Sequence, residues 1–364
     1  MTKPIKPLKR VLIMAGGTGG HVFPGLAVAR YLHQQGVEVH WLGTRQGLES
    51  RLVPEANIPL HLIAIGGVRG KGMRTLLSAP FKITAAVRQS LRVIRHINPD
   101  AVIGMGGFVS GPGGVASWLS SRPLVIHEQN AKAGLTNKLL VRFSRRVLEG
   151  FPLVFRQQSK VVEVGNPVRH EIETLPPPQE RFSASLPRLR LLVLGGSLGA
   201  QALNAVVPLA LSRLAPEDQP EIWHQTGDKH CESTKKSYES MGIDAKVTPF
   251  IKDMANAYAW ANVVLCRAGA LTVAELCAVG LGAILVPFPF AVDDHQTANA
   301  EFMVKNNAAL CVQQAELTES RLAEILKQFS QSPGKCLEMA QAAYQLRKVN
   351  VAEKFYQILC DVIN

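Results

Sequence analysis

Short apolar runs rich in β-branched residues recur along the first half of the chain, each followed by apolar positions at helical spacing. The run Val11–Ala15 leads through the glycine turn Gly16–Gly20 into a helix predicted at about Pro24–Gln35, where Pro24 suits the first turn. Strands that alternate with helices indicate a parallel, doubly wound α/β sheet. Further strands are predicted at Val37–Leu42, Leu60–Ile65, Ala101–Met105 and Pro123–His127.

The same pattern restarts in the second half, after the proline-rich stretch Thr174–Pro187, which is typical of a linker. The run Leu191–Leu194 enters a second glycine turn, Gly195–Ala200, and then a helix over Gln201–Leu214. After about Thr318 only helices are predicted. Further strands are predicted at Glu221–Gln225, Lys246–Phe250, Val263–Cys266 and Ala283–Val286.

The repeated pattern predicts two Rossmann-like domains that face each other across a cleft. The first comprises residues 1–166, and the second comprises residues 167–345. We expect residues 346–364 to form a helix that packs back on the first domain.

Basic residues outnumber acidic ones among the 364 residues, 40 against 28, so the formal net charge is +12. This balance favours anionic partners such as phosphates, acidic lipid headgroups or nucleic acid, without choosing among them. The 6 cysteines contain no Cys-x-x-Cys pair, which favours reduced thiols over a zinc site or disulfides. Two uncharged stretches, Ala101–Ser121 and Leu276–Val292, are interrupted by glycine and proline, so neither is predicted to span a membrane.

Both glycine turns join a predicted strand to a predicted helix, where backbone N–H groups and the helix dipole attract phosphate. Either one could instead be a tight turn without a ligand. The dinucleotide pattern Gly-x-Gly-x-x-Gly fails in the first turn because position 22 is Val22, and no Walker-type lysine follows either turn. Dehydrogenase and kinase-like functions are therefore disfavoured.

Polar residues follow other predicted strands of the first half, at the sheet edge where ligands bind in such folds. The glycine-rich loop Gly104–Gly114 follows one strand, and His127, Glu128 and Asn130 follow the next. We expect these side chains to face the cleft together with His21, with one of them serving only the structure.

The second half repeats this arrangement at two further strand ends. Arg267–Glu275 follows one strand and opens a helix, and Asp293–Asn299 follows another. Glu275 is either a solvated helix residue or a carboxylate that accepts two ribose hydroxyls, and its place at a strand–helix junction favours the second interpretation.

These segments, which occur in order from about Lys9 to the C-terminus, resemble those of the MurG family of peptidoglycan glycosyltransferases. The resemblance implies the two-domain GT-B fold and transfer of N-acetylglucosamine from UDP-N-acetylglucosamine to undecaprenyl-diphosphoryl-muramoyl-pentapeptide, lipid I. The product would be lipid II, made at the cytoplasmic face of the inner membrane. No metal, other cofactor or nucleic acid is expected, whereas other cell-wall synthesis proteins are possible partners.

The resemblance also implies that residues 1–166 form the acceptor and membrane domain and residues 167–345 the UDP-sugar domain. It further implies which residues contact the substrates, from their positions in the motifs. Gly106 and Gly107 would meet the acceptor diphosphate, and Arg169 and Ser197 the donor diphosphate. The full set expected to bind UDP-N-acetylglucosamine is Thr18, Gly19, Gly20, Asn130, Arg169, Ser197, Ile251 through its backbone at uracil, Ala270, Leu271, Thr272, Val273, Ala274, Glu275 and Gln296.

The family inverts the anomeric centre, which implies a single in-line displacement with one catalytic base. His21 is the preferred base because imidazole titrates near neutral pH, and Glu128 is the alternative. The chain contains no Asp-x-Asp sequence, in agreement with a reaction that needs no metal. Two positions depart from the family pattern, where Leu198 replaces a common glutamine and Phe290 a common histidine.

A basic and apolar segment, Val68–Arg95, could lie on anionic lipid, joined by Trp118, or could be an ordinary amphipathic helix packed on its own sheet. Rival functions are another GT-B glycolipid glycosyltransferase or a nucleotide-sugar epimerase. A more distant rival is a non-catalytic basic module that binds membrane or nucleic acid. The chain lacks the aromatic-interleaved basic stripe that base stacking requires, which disfavours nucleic acid.

Overall fold

The structure is a computed structural model that describes residues 6–66, 73–155, 159–182, 188–196 and 199–364, with the backbone alone for residues 73–78, 292 and 333. The chain divides into two compact units. The first unit comprises Met1–Pro167 together with Asn350–Asn364, and the second comprises Val168–Val349.

The first unit is built on a seven-stranded sheet in which all paired strands are parallel, in the order β3-β2-β1-β4-β5-β6-β7. The strands are β1 (Arg10–Met14), β2 (Glu38–Gly43), β3 (Leu60–Leu62), β4 (Ala101–Gly104), β5 (Leu124–Glu128), β6 (Arg146–Glu149) and β7 (Val161–Glu163). Its helices include α1 (Gly19–Gln34), α2 (Glu49–Glu55), α3 (Met73–Ile97), α4 (Ser110–Leu119) and α5 (Leu135–Leu140).

The second unit repeats this plan with a six-stranded parallel sheet in the order β10-β9-β8-β11-β12-β13. The strands are β8 (Arg190–Leu194), β9 (Glu221–Gln225), β10 (Lys246–Thr248), β11 (Val263–Cys266), β12 (Gly282–Leu285) and β13 (Ala309–Cys311). The helices are α6 (His170–Glu173), α7 (Pro178–Arg181), α8 (Gln201–Leu211), α9 (Cys231–Ser240), α10 (Met254–Trp260), α11 (Ala270–Val279), α12 (His295–Val304), α13 (Glu319–Gln331) and α14 (Pro333–Gln345).

The last helix, α15 (Val351–Ile363), returns to the first unit. Its buried Phe355 and Leu359 share one apolar cluster with Val28 and Leu32 of α1. Full burial of a side chain of this size contributes roughly 1.5–3 kcal/mol, so the four residues fasten the C-terminus to the first unit.

Both strand orders reverse direction once, and the two glycine turns lie at these points. In the first sheet β1 pairs with both β2 and β4, and in the second β8 pairs with both β9 and β11. Loops that leave the carboxyl ends of such adjacent strands diverge and open a crevice for ligands. The predicted doubly wound α/β class is therefore confirmed.

Two local predictions were wrong. The first helix begins at Gly19, because the carbonyl of extended Thr18 already accepts bonds from the N–H groups of His21 and Val22, so Pro24 lies inside α1 rather than in its first turn. The stretch Thr174–Pro187 is not a plain linker, since Pro178–Arg181 within it form α7. Arg181 there donates hydrogen bonds to the carbonyls of Val279 and Gly280 and fixes α7 to the second unit.

In the described ranges, no helix is both long enough and apolar enough to cross a bilayer. The long helix α3 buries Ala86, Ile94 and Ile97 in the core of the first unit, as the ordinary amphipathic interpretation requires. It also leaves Phe81 80% exposed. Of the basic residues expected in this region, Lys71 lies outside the described residues and Arg74 lacks a described side chain.

Candidate active site

The second glycine turn joins β8 to α8 in a conformation that requires glycine. Gly196 and Gly199 have φ angles of +78° and +76°, a left-handed backbone that other residues rarely adopt. A Cβ on Gly199 would also lie 2.1 Å from the carbonyl oxygen of Thr226. Ser197 and Leu198, at the tip of the turn, lie outside the described residues.

A pocket of about 540 Å³ opens at this turn, within the second unit. Its size is typical of sites that bind small molecules. The N-terminus of α8 faces it, with no acidic residue in the first helical turn and no side-chain cap, so its N–H groups suit an anion. The lining residues are Gly195, Gly199, Ala200, Gln201, Ala202, Ala205, Arg267, Phe288, Gln296 and Gln314.

Arg267 places a positive charge in this pocket. Its guanidinium donates to the carbonyl of Val286 at 3.2 Å and to Oε1 of Gln314 at 2.6 Å, and it lies 5.5 Å from the ring centroid of Phe288. Burial lowers the pKa of Arg267, but an arginine remains protonated at neutral pH. The held guanidinium is therefore a fixed cation beside the N-terminus of α8.

Glu275, on α11, is the centre of a second polar cluster. Its Oε1 accepts from Nη2 of Arg169 at 3.0 Å, and its Oε2 accepts from the hydroxyl of Tyr258 at 2.9 Å. Burial raises the pKa of Glu275, while Arg169 and Tyr258 oppose that rise. Glu275 is thus not a solvated helix residue, and Arg169 pairs with it directly.

The remaining residues expected at the donor occupy different depths. Ala270 and Val273 point into the core, whereas Leu271, Thr272, Ala274 and Glu275 stay partly exposed on the outer side of α11. Ile251 is 4% exposed, so only its backbone suits a ligand contact. Gln296 lines the pocket, and its Oε1 accepts from the backbone N–H of Phe288 at 2.9 Å.

In the first unit, His21 is the third residue of α1, and its ring is held on one side. Nδ1 lies 3.0 Å from the carbonyl oxygen of Met105 and 3.3 Å from Oε1 of Gln129. Because both neighbours are acceptors, the ring proton lies on Nδ1, and the neutral ring keeps its lone pair on Nε2. This tautomer suits a base that accepts a proton at Nε2.

Of the residues expected to face the cleft with His21, His127 serves the structure. It is fully buried, accepts at Nδ1 from Gln129 at 3.1 Å, and donates from Nε2 to the carbonyl of Gly165 at 3.0 Å. Burial lowers the pKa of His127 to about 4, so it is neutral at physiological pH. Its neutral ring orients Gln129, which in turn contacts His21.

Glu128 organises the loop that follows β5. Its Oε1 accepts from the backbone N–H of Asn130 at 3.1 Å and from the side-chain amide of Asn130 at 3.2 Å. Its Oε2 accepts from the N–H of Gly134 and from Nδ2 of Asn137, both at 2.9 Å. A carboxylate offers about four acceptor positions, and these four bonds occupy them. This geometry favours His21 over Glu128 as the base.

The first glycine turn is more crowded than its sequence indicates. Thr18 and Gly20 are exposed and Gly19 is partly exposed, but the N–H of Gly17 already donates to the buried carboxylate of Glu49 at 2.9 Å. In the glycine-rich loop Gly104–Gly114, the N–H of Gly106 donates to Oγ of Ser110 at 3.0 Å. Gly107 packs so tightly on this turn that a Cβ would lie 2.3 Å from the carbonyl oxygen of Gly16.

Both halves of the chain are similar to known proteins. Residues 11–149 match the glycosyltransferase family 28 N-terminal domain, and residues 190–355 match the family's C-terminal domain. A relative from Marinobacter nauticus is 52% identical over 98% of this chain and 99% of its own length. A relative from Alkalilimnicola ehrlichii is 54% identical over 94% of this chain and 96% of its own. Both are named UDP-N-acetylglucosamine--N-acetylmuramyl-(pentapeptide) pyrophosphoryl-undecaprenol N-acetylglucosamine transferase.

A crystal structure of Acinetobacter baumannii MurG superposes with a TM-score of 0.85 at 43% identity, over 97% of this chain and 99% of that chain. The chain belongs to the MurG family. With that membership, the GT-B fold implied by the motifs is confirmed. Membership of this family also makes the chain a glycosyltransferase, which rules out the non-catalytic binding module.

As a MurG family member, the chain carries one described departure from the family pattern next to the pocket. Phe290 is 81% exposed, and its ring meets that of Phe288 edge-on with centroids 5.6 Å apart. Phe288 lines the pocket, so the departure extends an aromatic wall there.

Sequence reasoning missed several residues that shape this MurG site. Arg267 was recognised only as part of a motif, although an arginine directly after a buried strand is a usable signal for a ligand site. Gln129 was not singled out, although it lies between Glu128 and Asn130 in a recognised motif. Tyr258 and Gln314 act through contacts with residues distant in sequence, which no local pattern marks. Glu49 had a signal, since Gly43 and Gly47 precede it closely after a predicted strand.

Proposed function

We propose that the chain transfers N-acetylglucosamine from UDP-N-acetylglucosamine to the C4 hydroxyl of lipid I, with inversion, to give lipid II. The main support for this function is the 52% identity, over 98% of the chain, to a relative named for this transfer. The pocket at the second glycine turn supports the proposal, because it offers a helix N-terminus and a fixed arginine to a diphosphate.

The donor lies with its diphosphate at the N-terminus of α8. Arg267, in the same pocket, offsets the negative charge that grows on UDP as it leaves. Arg169 holds Glu275, whose carboxylate keeps room for a ribose hydroxyl beside its bonds to Arg169 and Tyr258. Gln296, on the pocket wall, meets a hydroxyl of the sugar.

His21 acts as the base for the acceptor. As the C4 oxygen of the acceptor bonds to the anomeric carbon, the bond from that carbon to the UDP oxygen breaks, and the C4 hydroxyl proton passes to Nε2 of His21. The resulting imidazolium is stabilised at Nδ1 by the carbonyl of Met105 and by Oε1 of Gln129. The leaving diphosphate carries away the electron pair of the broken bond.

Turnover with matched donors tests this assignment. Initial rates are compared for UDP-N-acetylglucosamine, UDP-glucose and UDP-galactose with a lipid I analogue, and the anomeric configuration of the product is determined. We expect efficient transfer from UDP-N-acetylglucosamine alone, with inversion. Equal rates with all three donors, or no transfer to the lipid I analogue, would contradict the proposal.

The first unit also binds an anionic membrane surface from the cytoplasmic side, as a peripheral protein. Large apolar side chains are exposed on α3, α4 and α5, where α3 packs on α4 and α4 on α5. Basic side chains accompany them, among them Lys82 beside Phe81 and Lys138 beside Leu139. Such a mixture of apolar and cationic groups suits acidic headgroups. The exposed apolar residues are Phe81, Ile83, Trp118, Leu119, Leu135 and Leu139.

Co-sedimentation with liposomes tests the membrane proposal. Neutralising Lys71, Arg74 and Lys82 together is expected to lower binding to anionic vesicles and to leave the weak binding to zwitterionic vesicles unchanged. Neutralising Lys235 and Lys236 of α9, in the second unit, is the control and should leave binding unchanged. Unchanged binding of the triple variant would remove the proposal.

A further inference from the structure

Glu49 is a charged residue with no exposed surface, at the first position of α2. A buried carboxylate requires hydrogen-bond donors, and Glu49 has three. Its Oε1 accepts from the N–H and the hydroxyl of Thr44 at 2.9 and 2.8 Å, and its Oε2 accepts from the N–H of Gly17 at 2.9 Å. The last bond ties Glu49 to the first glycine turn.

Three glycines leave the space that this carboxylate fills. A Cβ on Gly16 would lie 2.6 Å from Oε1 of Glu49, one on Gly43 would lie 2.7 Å from its Cγ, and one on Gly47 would lie 1.9 Å from its Oε2. Each distance is too short for a real contact. The glycines of the turn and of the loop after β2 therefore accommodate an anion that belongs to the chain itself.

This internal anion occupies a position where a strand–turn–helix usually binds a phosphate. The N–H of Gly17 is used, and a second negative group beside the carboxylate would be repelled by several kT at short range. The turn is also fixed from other sides, by the bond from the N–H of Leu48 to the carbonyl of Gly17 and by the packing of Gly107 on Gly16. Its position determines where α1, and with it His21, begins.

We propose that Glu49 is a positioning residue, whose carboxylate takes the phosphate place in the first glycine turn and holds the His21 end of α1 for catalysis. The inference rests on the proposed function through His21. It also assigns the two glycine turns different chemistry, since the second offers its helix N-terminus to a ligand anion and the first is closed by Glu49.

Kinetics of Glu49→Ala test the positioning role. We expect kcat to fall by about 10²-fold, the effect of a misplaced catalytic group, with KM for UDP-N-acetylglucosamine changed less than about threefold. Formate or acetate should restore part of kcat by entering the vacated site. The control is Glu55→Gln, at the exposed end of the same helix, which should behave as wild type. Wild-type kcat in Glu49→Ala, or no rescue by either anion, would overturn the proposal.

A measurement on the wild-type chain does not depend on the folding of a variant. The backbone amide resonances of Gly17, in the first glycine turn, and Gln201, in the first turn of α8, are followed by NMR during titration with inorganic phosphate. We expect the Gln201 amide to shift, because it lies at the N-terminus of a helix that faces the pocket. The Gly17 amide should stay in place, because Glu49 already accepts its hydrogen bond. A phosphate-dependent shift at Gly17 would overturn the inference. Absence of wild-type turnover would instead refute the proposed function and leave this titration result unaffected.

Discussion

The hydroxyl of Tyr258 donates a hydrogen bond of 2.9 Å to Oε2 of Glu275. Tyr258 is buried, and the side chain of Glu275 is only 17% exposed. Burial is the main cause that raises the pKa of each. For Glu275 the hydrogen bond from Tyr258 acts in the opposite direction and favours the carboxylate. Tyr258 therefore keeps Glu275 charged and oriented for a ribose hydroxyl.

Replacing Tyr258 by Phe is expected to raise KM for UDP-N-acetylglucosamine about tenfold, the value of one hydrogen bond to a charged group, with little change in kcat. Because the pKa of Glu275 rises further without that bond, the loss of donor affinity with falling pH should begin at a higher pH. Steady-state kinetics across pH measure both effects. Tyr238→Phe removes a buried hydroxyl that pairs with His224 and is the control. Identical KM and pH dependence in Tyr258→Phe and wild type would contradict this role.

Replacing Arg267 by Gln removes the fixed cation of the pocket. We expect kcat to fall by about 10²-fold, because charge on the leaving diphosphate is no longer offset, and Arg267→Lys to be intermediate. Arg181→Gln is the matched control, since Arg181 also donates to backbone carbonyls of the second unit and does not line the pocket. If Arg267→Gln and Arg181→Gln both lower stability but have equal kcat values, Arg267 has no catalytic role.

Replacing Gly199 by Ala should abolish the shape of the second turn, because the new Cβ would lie 2.1 Å from a carbonyl oxygen. UDP affinity, measured by calorimetry, is expected to fall at least about tenfold as the diphosphate donors move. Gly242→Ala imposes a similar positive φ in open space, so it should lower stability by about 1 kcal/mol and leave UDP binding intact. Normal UDP affinity of Gly199→Ala would show that this turn does not hold the diphosphate.

Stability should fall in mild acid because His127 is buried in its neutral form. Burial lowers the pKa of His127 from 6.5 to about 4, and it lowers that of His224, in the second unit, to about 3. As pH falls, the two histidines become protonated in the unfolded chain before they do so in the folded chain. The stability that their neutral burial allows is therefore fully present above the unfolded-state pKa and is lost as pH falls towards the folded-state pKa. For His127 the loss amounts to about 3 kcal/mol at full extent.

Urea unfolding of wild type and His127→Asn at about pH 7 and about pH 5 measures this contribution. The variant should lose less stability than wild type between the two conditions, even if it is less stable at neutral pH. Parallel losses in the two proteins would show that His127 is not held neutral by burial.

The sequence predicted most of the fold because the strands near the sheet centres are apolar runs bounded by turn residues. β9 and β11 match their predicted bounds, and the glycine turns fall at the strand ends where they were expected. The strands β6, β7 and β13 were missed. They are only three or four residues long, and β7 and β13 lie at sheet edges, so they lack a distinctive pattern.

The site could be predicted only as far as its residues lie in local motifs. His21, Glu128 and Glu275 follow strands or open helices, where a pattern marks them. Their partners do not: the bond between Arg169 and Glu275 spans 106 residues, and that between Gln129 and His21 spans 108. The choice between His21 and Glu128 as the base depends on such long-range bonds, which only the folded chain reveals.

The most direct test of the catalytic account compares wild type, His21→Ala and Glu128→Ala in transfer to a lipid I analogue. If His21 is the base, His21→Ala loses kcat by about 10²- to 10⁴-fold while KM for UDP-N-acetylglucosamine stays within about threefold, since the base acts only in the transition state. Glu128→Ala should have a lower kcat because the loop after β5 becomes disordered. Glu128→Gln should retain a higher kcat than Glu128→Ala. A kcat near that of wild type in His21→Ala would contradict the account.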